Sequence, residues 1–181
     1  MKGIIIYKGK YGATHQYAHS LGSMLHIPVI DSDNVQGSDL DGFDYVILGS
    51  SVYIGKLLIR EWLKRNLGFI RPKKIFIFTV SGTPPDEKQK LEKIAGENIP
   101  EEIRNRSEIY FLHGRMIRKN LSWTDRLLLK IGSMFTKDPS EKKGMLADFD
   151  AVKTDNLVPL INAVSIYESK SAAITQAQSL V

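Results

Sequence analysis

The chain has 181 residues, of which 43% are apolar, so it can bury a real core as one domain over residues 1–181, and a second independent domain is not expected. It contains no cysteine, which excludes disulfides, thiolate nucleophiles, iron–sulfur clusters and cysteine-based zinc sites, and leaves any redox chemistry to a bound cofactor. A formal charge of +5 and a pI of about 9.3 favour acidic partners: phosphates, carboxylates, an anionic membrane surface or nucleic acid.

No run of about 20 apolar residues is present. The start, Met1-Lys2-Gly3-Ile4-Ile5-Ile6-Tyr7, lacks a signal peptide's long apolar region and cleavage site, so a soluble cytoplasmic chain is expected. Lys2 to Tyr7 reads as a buried strand, broken by Gly9 and Gly12 before Ala18, Leu21 and Leu25 mark one face of a first helix. Ile27 to Ile30 is a brief second strand, and Tyr45 to Gly49 a third, entered through the turn residues Asp41 and Gly42. Ile59, Trp62 and Leu63 place a helix running to about Asn66, and Pro72 introduces a fourth strand, Lys74 to Thr79. After the loop Ser81-Gly82-Thr83-Pro84-Pro85 come a charged helix, Asp86 to Lys93, and a fifth strand, Glu108 to His113. Leu157, Leu160, Ile161 and Val164 form the stripe of a final helix, and the tail after Ser169 is weakly patterned and expected to fray.

Strand–helix alternation with continuously apolar strands predicts a doubly wound α/β fold: a five-stranded parallel sheet of order 2-1-3-4-5 with helices on both faces. In such sheets ligands sit beyond the carboxyl ends of the strands near the switch point. Function is therefore expected in Lys8 to Thr14, Ser50 to Gly55 and Val80 to Pro84.

The loop Lys8-Gly9-Lys10-Tyr11-Gly12-Ala13-Thr14 joins a buried strand to a helix start. Its glycines allow a tight turn and close approach to an anion, the helix start presents unpaired N–H groups, and Thr14 adds a hydroxyl. A phosphate fits; an ordinary glycine turn with Thr14 as the helix cap is the alternative. Neither Gly-x-x-x-x-Gly-Lys-Ser/Thr nor Gly-x-Gly-x-x-Gly is present, which argues against ATP and NAD. Gly49-Ser50-Ser51-Val52-Tyr53 also ends wrongly for a nucleophile elbow.

These residues resemble the flavodoxin-like family, in which the first strand runs into a hydroxyl-rich phosphate loop ending Gly-x-Thr, matched by Gly12-Ala13-Thr14. Lys10-Tyr11-Gly12-Ala13-Thr14 is similar to the subgroup that includes menaquinone-dependent protoporphyrinogen oxidase. Gly49-Ser50-Ser51-Val52-Tyr53-Ile54-Gly55 looks like that subgroup's second flavin loop, and Trp123-Thr124-Asp125-Arg126 with the following lysine-rich helix resembles its C-terminal part. The resemblance implies FMN as cofactor, with Ser50, Ser51, Val52, Tyr53, Ile54 and Gly55, and Ser81, Gly82 and Thr83, flanking the isoalloxazine ring. Tyr53 is the aromatic expected to lie against that ring; a half-buried loop tyrosine is the alternative. Relatives carry hydroxyls where Lys8 and Gly9 stand, so the phosphate would rely on backbone N–H groups, Thr14 and Lys10.

The activity this implies is an FMN-dependent oxidoreductase of heme biosynthesis, oxidising protoporphyrinogen with a quinone acceptor. A flavodoxin-type electron carrier without its own substrate is the alternative. No catalytic side chain is assigned. His15 and His19 stand four residues apart on the first helix without a third ligand, so no metal site is expected, and His113 reads as a strand-end residue.

At about 114–145 a basic amphipathic segment sets Trp123, Leu127, Leu128, Ile131, Met134 and Phe135 against Arg118, Arg126, Lys130 and Lys137. It can cover the sheet, dock a redox partner, receive an acidic small-molecule substrate, or rest on an anionic membrane at its inner face. A cofactor-free interaction module or nucleic-acid binder is not expected, because aromatic residues are not interleaved with Lys and Arg on strands.

Overall fold

Successive side chains of a strand point to opposite faces, so an unbroken apolar strand needs cover on both sides. The computed structural model describes residues 1–135 and 147–178, and it supplies that cover. In chain order the elements are β1 (Gly3–Lys8), α1 (Ala13–Leu25), β2 (Val29–Asp31), β3 (Tyr45–Tyr53), β4 (Lys56–Leu57), α2 (Arg60–Arg65), α3 (Leu67–Ile70), β5 (Lys74–Ser81), α4 (Lys88–Asn98), α5 (Glu101–Arg104), β6 (Ser107–His113), β7 (Arg115–Met116), α6 (Trp123–Phe135), β8 (Phe149–Asp150) and α7 (Val158–Gln178).

The main sheet runs β2-β1-β3-β5-β6 with every neighbouring pair parallel. Counting only these parallel strands, the order is the 2-1-3-4-5 expected from the sequence. On one face Ile4, Ile6, Val46, Leu48, Ile75 and Ile77 pack against Trp62, Leu63, Ile70, Ala95, Ile99 and Ile103 from α2 to α5. On the other, Ile5, Tyr45, Ile47, Phe76 and Phe78 pack against Tyr17, Ala18 and Leu21 of α1 and Leu157, Leu160 and Val164 at α7. Each fully buried side chain of this size stabilises the fold by about 1.5–3 kcal/mol, which makes the two-sided burial the dominant favourable contribution.

Several boundaries differ from the sequence reading. β3 does not stop at Gly49 but continues to Tyr53, because Ser50 and Ser51 keep pairing with Thr79 and Val80 of β5, itself extended to Ser81. The expected loop Ser50 to Gly55 is therefore a strand end plus a tight hairpin turn, with Val52 and Tyr53 pairing back onto β4. β2 begins at Val29 rather than Ile27, and α4 occupies Lys88–Asn98 rather than Asp86 to Lys93. α7 carries helix through Ser169 to Gln178, where fraying was expected. The ribbon of β7 with β8 has no periodic signature and was not foreseen. Lys137, and residues 136–145 of the basic segment with it, lie outside the described residues.

One hydroxyl ties three of these pieces together. Tyr17 of α1 is buried, and its OH donates to the His113 carbonyl at 2.8 Å and accepts from Asn156 Nδ2 at 2.7 Å, joining α1 to the end of β6 and to the turn before α7. Replacing Tyr17 by Phe leaves buried polar groups unpaired and is expected to cost about 1–3 kcal/mol, a fall in Tm of roughly 2–10 °C. Thermal unfolding followed by circular dichroism checks this; an unchanged Tm would show the hydroxyl to be dispensable.

Candidate functional site

β1, β3 and β5 end side by side, so the loops that follow them meet at one edge of the sheet. After β1 the chain passes through Gly9 and turns at Gly12, whose φ of +85° lies in the left-handed region that a side chain disfavours, before α1 begins at Ala13. No side chain caps this helix start, so Thr14 is not the cap and the first N–H groups are left for another acceptor. Thr14 is buried, and its Oγ1 has no hydrogen-bond partner. Gly9 crosses directly over it: a Cβ at Gly9 would stand 2.9 Å from the Thr14 Cβ. A glycine-lined cradle thus encloses an unpartnered hydroxyl at a positive helix end, a donor set suited to a phosphate.

The two lysines of the loop are engaged elsewhere. Lys8 reaches to β2, where it pairs with Asp31 at 3.2 Å and with Asp33. Lys10 pairs at 2.8 Å with Asp125 of α6, and its ammonium lies 3.8 Å from the centre of the Tyr53 ring. Tyr11 and Tyr53 both donate their hydroxyls to the same Asp125 carboxylate, Tyr53 at 2.6 Å.

Asp125 is only 6% exposed. Burial by itself would raise its pKa, but the hydrogen bonds from Lys10, Tyr11 and Tyr53 outweigh that effect and hold its carboxyl down at about 2. The same pairing raises Lys10 above the ordinary lysine value.

The hairpin after β3 turns on Ile54 and Gly55, with φ of 49° and 70°. A β-branched residue in the left-handed region is strained by its Cβ, and Ile54 nevertheless stays exposed at the tip. Asn98 of α4, itself buried, holds this turn from behind by donating to the Gly55 carbonyl at 2.9 Å and accepting from Leu57 N–H at 3.1 Å. Ser50 lies inside the fold, where its Oγ accepts from Ile59 N–H, whereas Ser51 Oγ is buried without a partner. Ser81 closes a turn with Thr83 through its Oγ.

A cleft of about 400 Å³ opens between these loops and α6, lined by Tyr11, Val52, Tyr53, Ile54, Gly82, Met116, Leu121, Asp125, Leu128 and Leu129, with Arg115 at its edge. The structure therefore brings together Tyr11, Val52, Tyr53, Ile54 and Gly82 of the sequence-predicted site. It turns Lys8 away toward β2 and Ser50 into the fold. The cleft's far wall, from Met116 to Leu129, belongs to the basic segment that the sequence offers as a partner or substrate surface, and none of its residues is among those expected to hold the cofactor. Asp125 itself, a lone acid near the start of a basic helix, is as readily explained as a partner for the helix dipole. His15 and His19 stack on each other at 4.2 Å beside Tyr7, away from this cleft, and His113 stacks on Phe149.

α6 presents its apolar stripe outward. Trp123, Leu127, Ile131 and Met134 are exposed, Trp123 to 76% and Met134 to 71%, while Arg126 and Lys130 flank them. Among the described residues, no helix is long and apolar enough to cross a membrane, and no group of three or more His, Asp or Glu is placed to hold a metal ion.

A family model described as a flavodoxin domain matches residues 4–143. Among solved structures, similarity extends to a flavodoxin from the domain Archaea (18% identity, 74% of this chain and 98% of that one, TM-score 0.45). It extends also to the Trp repressor binding protein from Bacillus subtilis (15% identity, 76% and 99%, TM-score 0.45). A third is a flavoprotein in complex with FMN from Lactobacillus acidophilus (15% identity, 62% and 91%, TM-score 0.44). At these identities and scores none of the three bears on what this chain binds. No curated protein matches the chain.

Because Asp125 has a lower pKa folded than the value of about 3.9 in an unfolded chain, its contribution is complete above about pH 4 and is lost as pH falls through about 2. Acidification from pH 4 to 2 is thus expected to release amide protection in α6 before β1, β3 and β5. Hydrogen exchange resolved by segment tests this; simultaneous loss in all four would refute it.

Proposed function

Since the chain belongs to the flavodoxin domain family, we propose that it binds FMN and serves as an electron-transfer flavoprotein. The observation that carries this reading is the buried, unpartnered Thr14 hydroxyl beneath the Gly9–Gly12 turn. The Thr14 Oγ1 and the first N–H groups of α1 would take the phosphate, and Ser51 Oγ is a second unpartnered group at the same sheet edge. Tyr11, Tyr53, Ile54 and Gly82 would receive the ring system in the cleft. The flavin, once bound, supplies the electron chemistry, while the chain positions it and sets the charge around it.

Free FMN is expected to be retained and to give flavin absorption bands in the purified protein. Thr14→Val is expected to weaken FMN binding about tenfold while leaving riboflavin, which lacks the phosphate, unaffected. Titration by flavin fluorescence quenching measures both. Equal FMN affinity in the two proteins would place the phosphate elsewhere.

A second reading, oxidation of protoporphyrinogen with a quinone acceptor, is supported by the charge around the cleft. Arg115, paired with Asp150, lines it, Arg118 and Lys119 precede α6, and the chain carries a net +5, which suits a substrate bearing carboxylates. The outward stripe of α6 with its flanking Arg126 and Lys130 also suits an anionic membrane surface, where a quinone would be met. FMN-loaded protein is expected to turn over protoporphyrinogen with a menaquinone analogue and to sediment with anionic vesicles at low salt. Absent turnover would leave the electron-carrier reading alone, and absent sedimentation would remove the membrane.

A further inference from the structure

Helices on globular domains normally bury their apolar stripe. α6 does the reverse: Asp125 and Ser133 are buried and Leu129 is half-buried, while Trp123, Leu127, Ile131 and Met134 are exposed at helical spacing, and Asp125, Leu128 and Leu129 line the cleft. Among the described residues of α6 no apolar side chain is buried, so apolar burial does not explain its position. The polar contacts on Asp125 do, because one carboxylate takes Lys10 from the phosphate loop, Tyr11 beside it and Tyr53 from the end of β3. Tyr11 adds a further tie by accepting from Ser122 N–H at 3.4 Å, just before the helix.

We infer that Asp125 is an intramolecular latch that holds α6 across the cleft, and that an incoming anionic group at the loop of Lys10 releases it. The inference rests on the FMN reading and names the regulation of that same site. The conflict it resolves is geometric. Lys10 covers one face of the Tyr53 ring, so a flavin ring can use that face only once Lys10 withdraws. A phosphate arriving at the loop competes with Asp125 for the same ammonium, which couples cofactor entry to movement of α6. The exchange keeps the ammonium paired with an anion and leaves Asp125 without its cation, which disfavours its buried position and drives it toward water. Opening and closing so described are a two-state equilibrium that the ligand biases by its differential affinity.

The absence of cysteine makes a direct test clean. Cysteines introduced by Glu92→Cys on α4 and Lys130→Cys on α6, both exposed positions, carry a pair of spin labels. The parent pair is expected to give one narrow distance distribution, and the added Asp125→Asn change a broader one shifted to longer separations. In Asp125→Asn the FMN association rate is expected to rise on the order of tenfold, as for a cleft open about a tenth of the time in the parent.

A distribution unaltered by Asp125→Asn overturns the latch whatever FMN does. Broadening without a faster FMN association overturns its control of entry. If FMN binds neither protein, the cofactor reading fails, and broadening still establishes the latch. Should Asp125→Asn not fold, Tyr11→Phe removes one of the three donors and is expected to give the same broadening to a smaller extent; no broadening there overturns the proposal.

Discussion

A parallel sheet covered on both faces has no surface left for polar chemistry except its edge. Here the ladder bonds of β1, β3, β5 and β6 satisfy the backbone within a core of Ile, Val, Leu and Phe, and every loop able to meet a ligand leaves from the strand ends. The Gly9–Gly12 turn, the Ile54 turn and Gly82 are neighbours because β1, β3 and β5 are neighbours. Their relative positions are stiff to the extent that the core beneath them is close-packed.

On this edge a single carboxylate organises the chemistry. An ionised group as buried as Asp125 is costly unless it is paired and hydrogen-bonded, and Lys10 and Tyr11 from the loop after β1 and Tyr53 from the end of β3 meet that requirement. The consequence is a charge link between the loop after β1 and a helix that arrives more than a hundred residues later. Removing Asp125 takes the shared acceptor from Lys10, Tyr11 and Tyr53 at once, so the carboxylate couples the three contacts.

α6 shows how such a link can override the usual logic of helix placement. Its outward stripe of Trp123, Leu127, Ile131 and Met134 would be covered in a helix positioned by burial. A wide exposed apolar face beside Arg126 and Lys130 is instead available for a second surface, and the polar side keeps its hold on the cleft. Neither hydrophobic cluster of the sheet draws on a described side chain of α6.

What the sequence determined by itself follows from local physics. Continuous apolar strands alternating with amphipathic helices required a parallel sheet with two covered faces, and that is the sheet observed. The extent of β3 was not local: Ser50 to Tyr53 read as loop because their side chains are polar or mixed, yet pairing with β5 and β4 keeps them extended. Asp125 lay equally out of reach, an ordinary acid in a basic helix until folding brought Lys10, Tyr11 and Tyr53 to it. Patterns of period two or 3.6 record which face of an element is buried. They hold no information about which side chains meet across a cleft, because that depends on how crossovers and a late helix are stacked in three dimensions.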